Sequence, residues 1–201
     1  MNNLISVFDD FYDNPEIVRD YALKREYSVV GNYPGKRDRD NSLLDEYSAN
    51  NHNLGVKKFF ESYFGRTVSG WDGSYNGAFQ YVTSDETTWI HKDSSHHFSH
   101  AALIFLHPSP PPGDYGTSFF KHKSSGTYMA TGDDLVDDEI MNDGNDNTKW
   151  SLVDYIGYKY NRLVIYDSRL WHAANNYFGD TLKNSRLFQC FFFKVENDGL
   201  E

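Results

Sequence analysis

The sequence predicts an α+β domain, mainly β, in which helices near the N-terminus precede an eight-stranded jelly roll of two sheets. Three observations lead there. Helical apolar spacing is confined to the first third of the chain, and from Gly77 onward the period becomes that of strands. Aromatic content is 17%, with 15 Phe and 15 Tyr, against a hydrophobic total of only 39%, so large rings must fill the core beneath a polar surface. Helices followed by many short strands give the element order of α+β or mainly β domains, and the strand number suits a double sheet. The 201 residues are read as one domain, with a helical support region over about 1–76 and a jelly-roll core over about 77–195.

The elements follow in order. Leu4 to Phe8 is a short apolar strand, and Asp13-Asn14-Pro15-Glu16 starts a helix, with Asn14 as cap and Pro15 in the first turn. Ile17, Val18, Tyr21, Ala22 and Leu23 then fall near helical spacing. Gly31 to Asp40, with Pro34, two glycines and alternating charges, reads as a loop. A second helix is expected from about Ser48 to Phe64. Phe79 to Val82 and Thr87 to His91 read as strands joined by a turn at Thr83 to Glu86, and Ala101 to Leu106 as a strand covered on both faces. Pro110-Pro111-Pro112-Gly113 is a stiff turn, after which Gly116 to Phe120 resumes strand character. Asp133 to Asp146 is rich in Asp, Asn and Gly without a complete calcium-loop pattern and reads as a solvated insertion. Arg162 to Tyr166 and Arg186 to Val195 are the last two strands, and the latter alternates so that Arg186, Phe188, Cys190 and Phe192 share one face.

Charge narrows the function classes. A formal net charge of −10 argues against general affinity for nucleic-acid phosphates, which clustered Lys and Arg would supply. No apolar run approaches the ~20 residues of a membrane span, and the start lacks signal-peptide character, so a cytoplasmic protein is expected. The single cysteine, Cys190, lies in an apolar strand and reads as a buried small hydrophobe. Gly-rich phosphate loops and a Gly-x-Ser-x-Gly elbow do not occur, which leaves kinase and hydrolase readings without support.

Four residues carry candidate chemistry. His91 and Asp93 are two apart, so an extended segment presents both side chains on one face. His172 lies far downstream, just after the strand ending at Tyr166, and a sandwich can bring the two segments together. Two imidazoles and one carboxylate on one face of a metal leave the opposite positions open, the arrangement of non-haem Fe(II) oxygenases. Arg186, separated from His172 by the hairpin-like stretch Asn175 to Ser185, opens an otherwise apolar strand face, where a guanidinium can grip a carboxylate through two parallel hydrogen bonds. His96, His97 and His100 crowd the same region but bring no Cys, unlike most structural zinc sites, and read as loop histidines; His52, His107 and His122 carry no pattern.

This constellation resembles the Fe(II)- and 2-oxoglutarate-dependent dioxygenases, most closely their prolyl-hydroxylase-like branch. The resemblance spans Phe79 to Phe193 and includes the strand, turn and histidine order of Arg162 to His172 and the small-residue and Thr segment Gly116-Thr117-Ser118-Phe119. It implies a double-stranded β-helix core, with His91, Asp93 and His172 binding iron. Arg186 would bind the far carboxylate of 2-oxoglutarate, with Tyr81 as a weaker second contact. O2 would be the co-reactant, and the product a hydroxylated C–H bond of a protein or peptide side chain such as proline, or of a small molecule, with release of succinate and CO2. Phe105 stands where some members place a further hydroxyl, and Lys183 is a competing cation for the cosubstrate. A non-catalytic jelly-roll binding protein and a cupin-like metalloenzyme that uses no 2-oxoglutarate are the alternatives.

Overall fold

A computed structural model describes residues 3–38, 46–71, 75–93 and 98–196, with the backbone alone over 46–52. In chain order the elements are β1 (Ile5–Phe8), α1 (Pro15–Ala22), β2 (Val29–Gly31), β3 (Tyr33–Arg37), α2 (Glu46–Phe64), β4 (Val68–Ser69), β5 (Ala78–Val82), β6 (His100–Phe105), β7 (Thr117–His122), α3 (Asp134–Met141), β8 (Trp150–Ile156), β9 (Leu163–Asp167), β10 (His172–Ala174) and β11 (Arg186–Val195). The described residues form two antiparallel sheets and three α-helices and are mostly β. The larger runs β1-β9-β6-β11-β5-β3-β2, with β4 paired to the far end of β11, and the smaller runs β10-β7-β8.

β11 is the strand that organises both layers. It pairs with β5 from Arg186–Val82 to Cys190–Ala78 and with β6 from Phe188–Phe105 to Phe193–His100. Its residues therefore divide by parity. Leu187, Phe191, Phe193 and Val195 join the apolar layer beneath α1 and α2, where Phe60 stacks on Phe193 with ring centroids 4.4 Å apart. Phe188 and Cys190 join Val82, Leu103, Phe105, Phe119, Val164 and Tyr166 between the two sheets. Truncating a buried ring such as Phe60 costs about 3–5 kcal/mol.

α1 begins at Pro15 as expected, although the Asn14 side chain makes no capping bond. The region before Gly77 supplies strands as well as helices: β1 pairs with β9 and β3 with β5. Three expectations are corrected. The segment read as a loop from Gly31 to Asp40, whose last two residues lie outside the described residues, contains β3, which pairs back on β2, and Gly35, at φ +76°, lets β3 lie on β5 because a Cβ there would meet the Tyr81 carbonyl at 2.1 Å. Thr87 to His91 is not a strand: Ile90 N–H donates to Gly144 O, and only His91 bridges to a neighbour. Asp133 to Asp146 is largely exposed, as expected, but it is not a loop. The Asp133 carboxylate accepts from Leu135 and Val136 N–H to cap α3, whose buried Ile140 packs with Ile90, Trp150 and Trp171 on the outer face of the small sheet. Among the described residues no helix is long and apolar enough to cross a membrane.

Candidate active site

His91, Asp93 and His172 meet, offering one ligand atom each within 4.8 Å of one another. Their positions are set by backbone exchange: His91 N–H donates to His172 O at 3.0 Å and His172 N–H to His91 O at 2.9 Å, while Asp93 N–H donates to Ser168 O at 2.9 Å. The rings are then oriented by carbonyls. His91 Nδ1 lies 3.0 Å from Trp89 O and His172 Nδ1 2.9 Å from Leu170 O. A carbonyl can only accept, so each Nδ1 carries the proton and each Nε2 keeps a lone pair for a metal. His172 Nε2 is 3.2 Å from Asp93 Oδ2 and His91 Nε2 3.6 Å from Asp93 Oδ1. Neighbouring ligands at ~2.1 Å from a metal stand ~3 Å apart, so the set fits an ion.

Electrostatics suit that occupancy. Burial works to raise the Asp93 pKa, but the two imidazoles and the Tyr166 hydroxyl outweigh it and hold the carboxyl ionised well below its usual range. Burial and the charge of His172 lower the His91 pKa; for His172 burial is outweighed by Asp93, and the pKa is raised. Tyr166 is the residue that sequence reasoning missed. Its hydroxyl donates to Asp93 Oδ2 at 2.9 Å and lies 3.1 Å from His172 Nε2. Burial and the Asp93 charge push its pKa well above the ordinary value, so the proton stays on. The available signal was its parity with Val164 on β9, which turns both toward the inter-sheet layer.

The triad opens on a cavity of about 440 Å³ that Thr117, Tyr177 and Arg186 also line. Arg186 is 3% exposed. Its guanidinium carbon lies 4.8, 5.2 and 5.8 Å from the ring centres of Phe188, Phe105 and Tyr177, and Nε donates to Tyr115 O at 3.1 Å. No described carboxylate pairs with it. Thr117 Oγ1 is buried without a hydrogen-bond partner among the described residues. A buried unpaired cation and an orphaned hydroxyl in one cavity are the lining an anionic ligand with oxygen acceptors requires.

The other sequence candidates lie elsewhere. Tyr81 is one position out of phase: Gln80 and Val82 line the cavity, whereas Tyr81 turns to the helical layer and sets its ring against Tyr27 at 5.0 Å, so it cannot reach the cavity. Lys183 is exposed, with its carbonyl accepting from Arg19. Phe105 forms part of the wall beneath Arg186 rather than offering a hydroxyl. His100 stacks on Phe193 on the helical side, and His96 and His97 fall outside the described residues. The former solvated insertion supports the site from behind: Lys92, between the two ligands, donates to the buried Asp137 of α3 at 2.7 Å.

Comparison with known structures gives the same architecture. HygX from Streptomyces hygroscopicus, solved with nickel and 2-oxoglutarate bound, superposes with a TM-score of 0.59 at 12% identity, over 94% of this chain and 82% of that one. A Pseudomonas putida prolyl-4-hydroxylase gives 0.54 at 13% identity, over 98% and 95%. The non-heme alpha ketoglutarate dependent carbocyclase SnoK from nogalamycin biosynthesis gives 0.60 at 12%, over 94% and 79%. No curated protein sequence matches. The fold is thus the one found in 2-oxoglutarate-dependent oxygenases, prolyl hydroxylases among them. A family model described as a family of unknown function, DUF6445, matches residues 2–185, and the chain belongs to that family.

Proposed function

We propose that this protein is a cytosolic Fe(II)- and 2-oxoglutarate-dependent oxygenase on a double-stranded β-helix, hydroxylating a C–H bond of a protein or peptide side chain such as proline. The observation that carries this reading is a single cavity with two separate anchors: a three-donor metal set and a buried, unpaired guanidinium. His91, Asp93 and His172 would hold the iron, and Arg186 with Thr117 Oγ1 would hold the far carboxylate of 2-oxoglutarate. Iron and 2-oxoglutarate bound together supply O2 activation, in which decarboxylation to succinate and CO2 takes one oxygen atom and leaves the other for insertion into the C–H bond.

The chain's own part is placement and exclusion of water. Trp89 O and Leu170 O fix both imidazoles in the tautomer that points Nε2 inward. Tyr166 orients the Asp93 carboxylate by hydrogen bonding one of its oxygens. Phe105, Phe188 and Tyr177 surround Arg186 with low-dielectric walls, which strengthens its hold on a carboxylate.

Anaerobic titration with Fe(II) and 2-oxoglutarate tests the reading through the visible charge-transfer band of the chelate. The band is expected only with both present, and not in His91→Ala or Asp93→Ala. Metal binding without the band selects a cupin-like metalloenzyme that uses no 2-oxoglutarate, and binding of neither selects a non-catalytic jelly-roll protein. Incubation with a host proteome, followed by mass spectrometry for added oxygen, tests the substrate class.

A further inference from the structure

The same cavity contains a second cation that the reaction chemistry leaves unused. Arg37, on β3, lines it together with Asn32, Tyr33, Tyr75, Phe98 and Phe192. The Arg37 guanidinium carbon lies 3.8 Å from the Tyr33 ring centre and 5.6 Å from that of Phe192. Arg186 touches neither ring, so the two guanidinium groups occupy different parts of the cavity, each in its own aromatic surround. Cys190, on the inward face of β11, also lines the cavity.

Arg37 is held by one edge only. Its Nε donates to Gln80 Oε1 at 2.7 Å, and Gln80 is itself fixed because its Nε2 donates to Pro34 O at 2.7 Å. No described carboxylate pairs with Arg37, and the two terminal nitrogens form no hydrogen bond within the described residues. The third cation of the lining, Lys92, is already neutralised by Asp137. A chain of net charge −10 therefore keeps two unneutralised guanidinium groups in one cavity. A free planar N–H pair matches the two oxygens of a carboxylate. A phosphate dianion would call for a second cation at this end, and none is available among the described residues.

We infer that Arg37 binds a carboxylate of the primary substrate, so that the substrate class is a small or terminal carboxylic acid with an apolar or aromatic portion resting on Tyr33 and Phe192. This rests on the oxygenase reading above, which assigns the Arg186 end to 2-oxoglutarate. A 440 Å³ cavity that also holds a cosubstrate leaves space for a small acid or one chain-terminal residue, which narrows the peptide substrate proposed above to its carboxyl terminus.

The test uses the protein loaded anaerobically with Fe(II) and 2-oxoglutarate, and ligand-detected NMR with phenylacetate, N-acetyl-L-proline, indole-3-acetate and phenyl phosphate, each acid beside its neutral amide. The carboxylates should bind at least about tenfold more tightly than their amides, the scale of a charge-assisted bidentate contact. Arg37→Met should remove that preference and Arg37→Lys restore part of it, while both variants keep the chelate band and so report an intact fold. Equal binding of acids and amides, stronger binding of phenyl phosphate, undiminished carboxylate binding by Arg37→Met, or no binding by any carboxylate at millimolar concentration overturns the inference. Loss of the chelate band in the unmodified protein with Arg37-dependent carboxylate binding retained would instead sink the oxygenase reading alone.

Discussion

Replacing Arg186 with Met separates a ligand-binding cation from a structural one. Breaking a buried ion pair costs about 3–5 kcal/mol because the surviving charge is left unpaired. Arg186 has no described carboxylate partner, so its removal strands no charge. What the metal-free, ligand-free protein loses is the Tyr115 O contact and three ring contacts at 4.8–5.8 Å, about 1 kcal/mol each. What it gains is relief from keeping a guanidinium out of water, a penalty of several kcal/mol. The two nearly offset, so ligand-free stability should change by no more than ~1 kcal/mol, or roughly 2–4 °C in Tm for a chain of this size. Binding behaves differently: truncating a desolvated partner of a bidentate carboxylate costs about 2–5 kcal/mol, so affinity for 2-oxoglutarate should fall at least ~30-fold. Differential scanning fluorimetry with and without 2-oxoglutarate, in the presence of metal, measures both. Stabilisation by cosubstrate at ~100 times the unmodified protein's Kd, about 2.7 kcal/mol there, should fall to about 0.9 kcal/mol or less in Arg186→Met at the same concentration. A large drop in ligand-free Tm with cosubstrate stabilisation intact would refute the reasoning and make Arg186 a structural residue.

Tyr166→Phe removes the hydroxyl donated to Asp93 while keeping the ring, and should lower metal affinity by about 10–100-fold with little change in Tm, as read by metal titration. At Asp137, burial favours the neutral acid, but Lys92 and the Thr131 and Gly132 hydrogen bonds outweigh it, and the pKa is lowered. This contribution is therefore complete above the unfolded value of about 4 and is lost as pH falls through the lower folded value. Tm against pH should accordingly fall more steeply in acid for the unmodified protein than for Asp137→Asn, which lacks the titrating group and starts from a lower Tm. Gly144→Ala would place a Cβ 2.4 Å from Ile90 O and 3.0 Å from Met141 O, and should cost about 1–3 kcal/mol in denaturant unfolding and weaken metal binding, because Ile90 precedes His91.

What could be read from the sequence was whatever a two-residue period or a fixed chemical set announces. Arg186 to Val195 keeps its alternation in the structure, with Arg186, Phe188, Cys190 and Phe192 on the cavity and Leu187, Phe191 and Phe193 under the helices. Tyr81 was placed in the site by the resemblance, and alternation within Ala78-Phe79-Gln80-Tyr81-Val82 gave no check on it, because both faces of this strand are covered. His91 was assigned to a strand on composition, whereas its neighbour Ile90 finds its partner at Gly144, a contact made by distant chain. The same blind spot hid α3, whose acidic residues suggested solvent although Asp137 faces inward to Lys92. β8 went unread because most of Trp150–Ile156 is exposed and offers no buried stripe. The Arg37–Gln80 hydrogen bond depends on strand pairing between segments far apart in the chain, and local pattern contains no trace of that.

The mutual backbone bridge between His91 and His172 bears on the order of events during loading. Two candidate ligands distant in sequence are joined by the same pair of amide hydrogen bonds that would join any two strands, so backbone pairing by itself holds closed the loop linking them. Under the proposed metal reading, a divalent cation arriving at this site would meet a socket whose entropy has already been surrendered. Its affinity is then governed by charge and ligand field, and its departure need not loosen the chain. Metal exchange and unfolding should be kinetically independent, in contrast to small zinc domains in which the ion and the fold are gained or lost together.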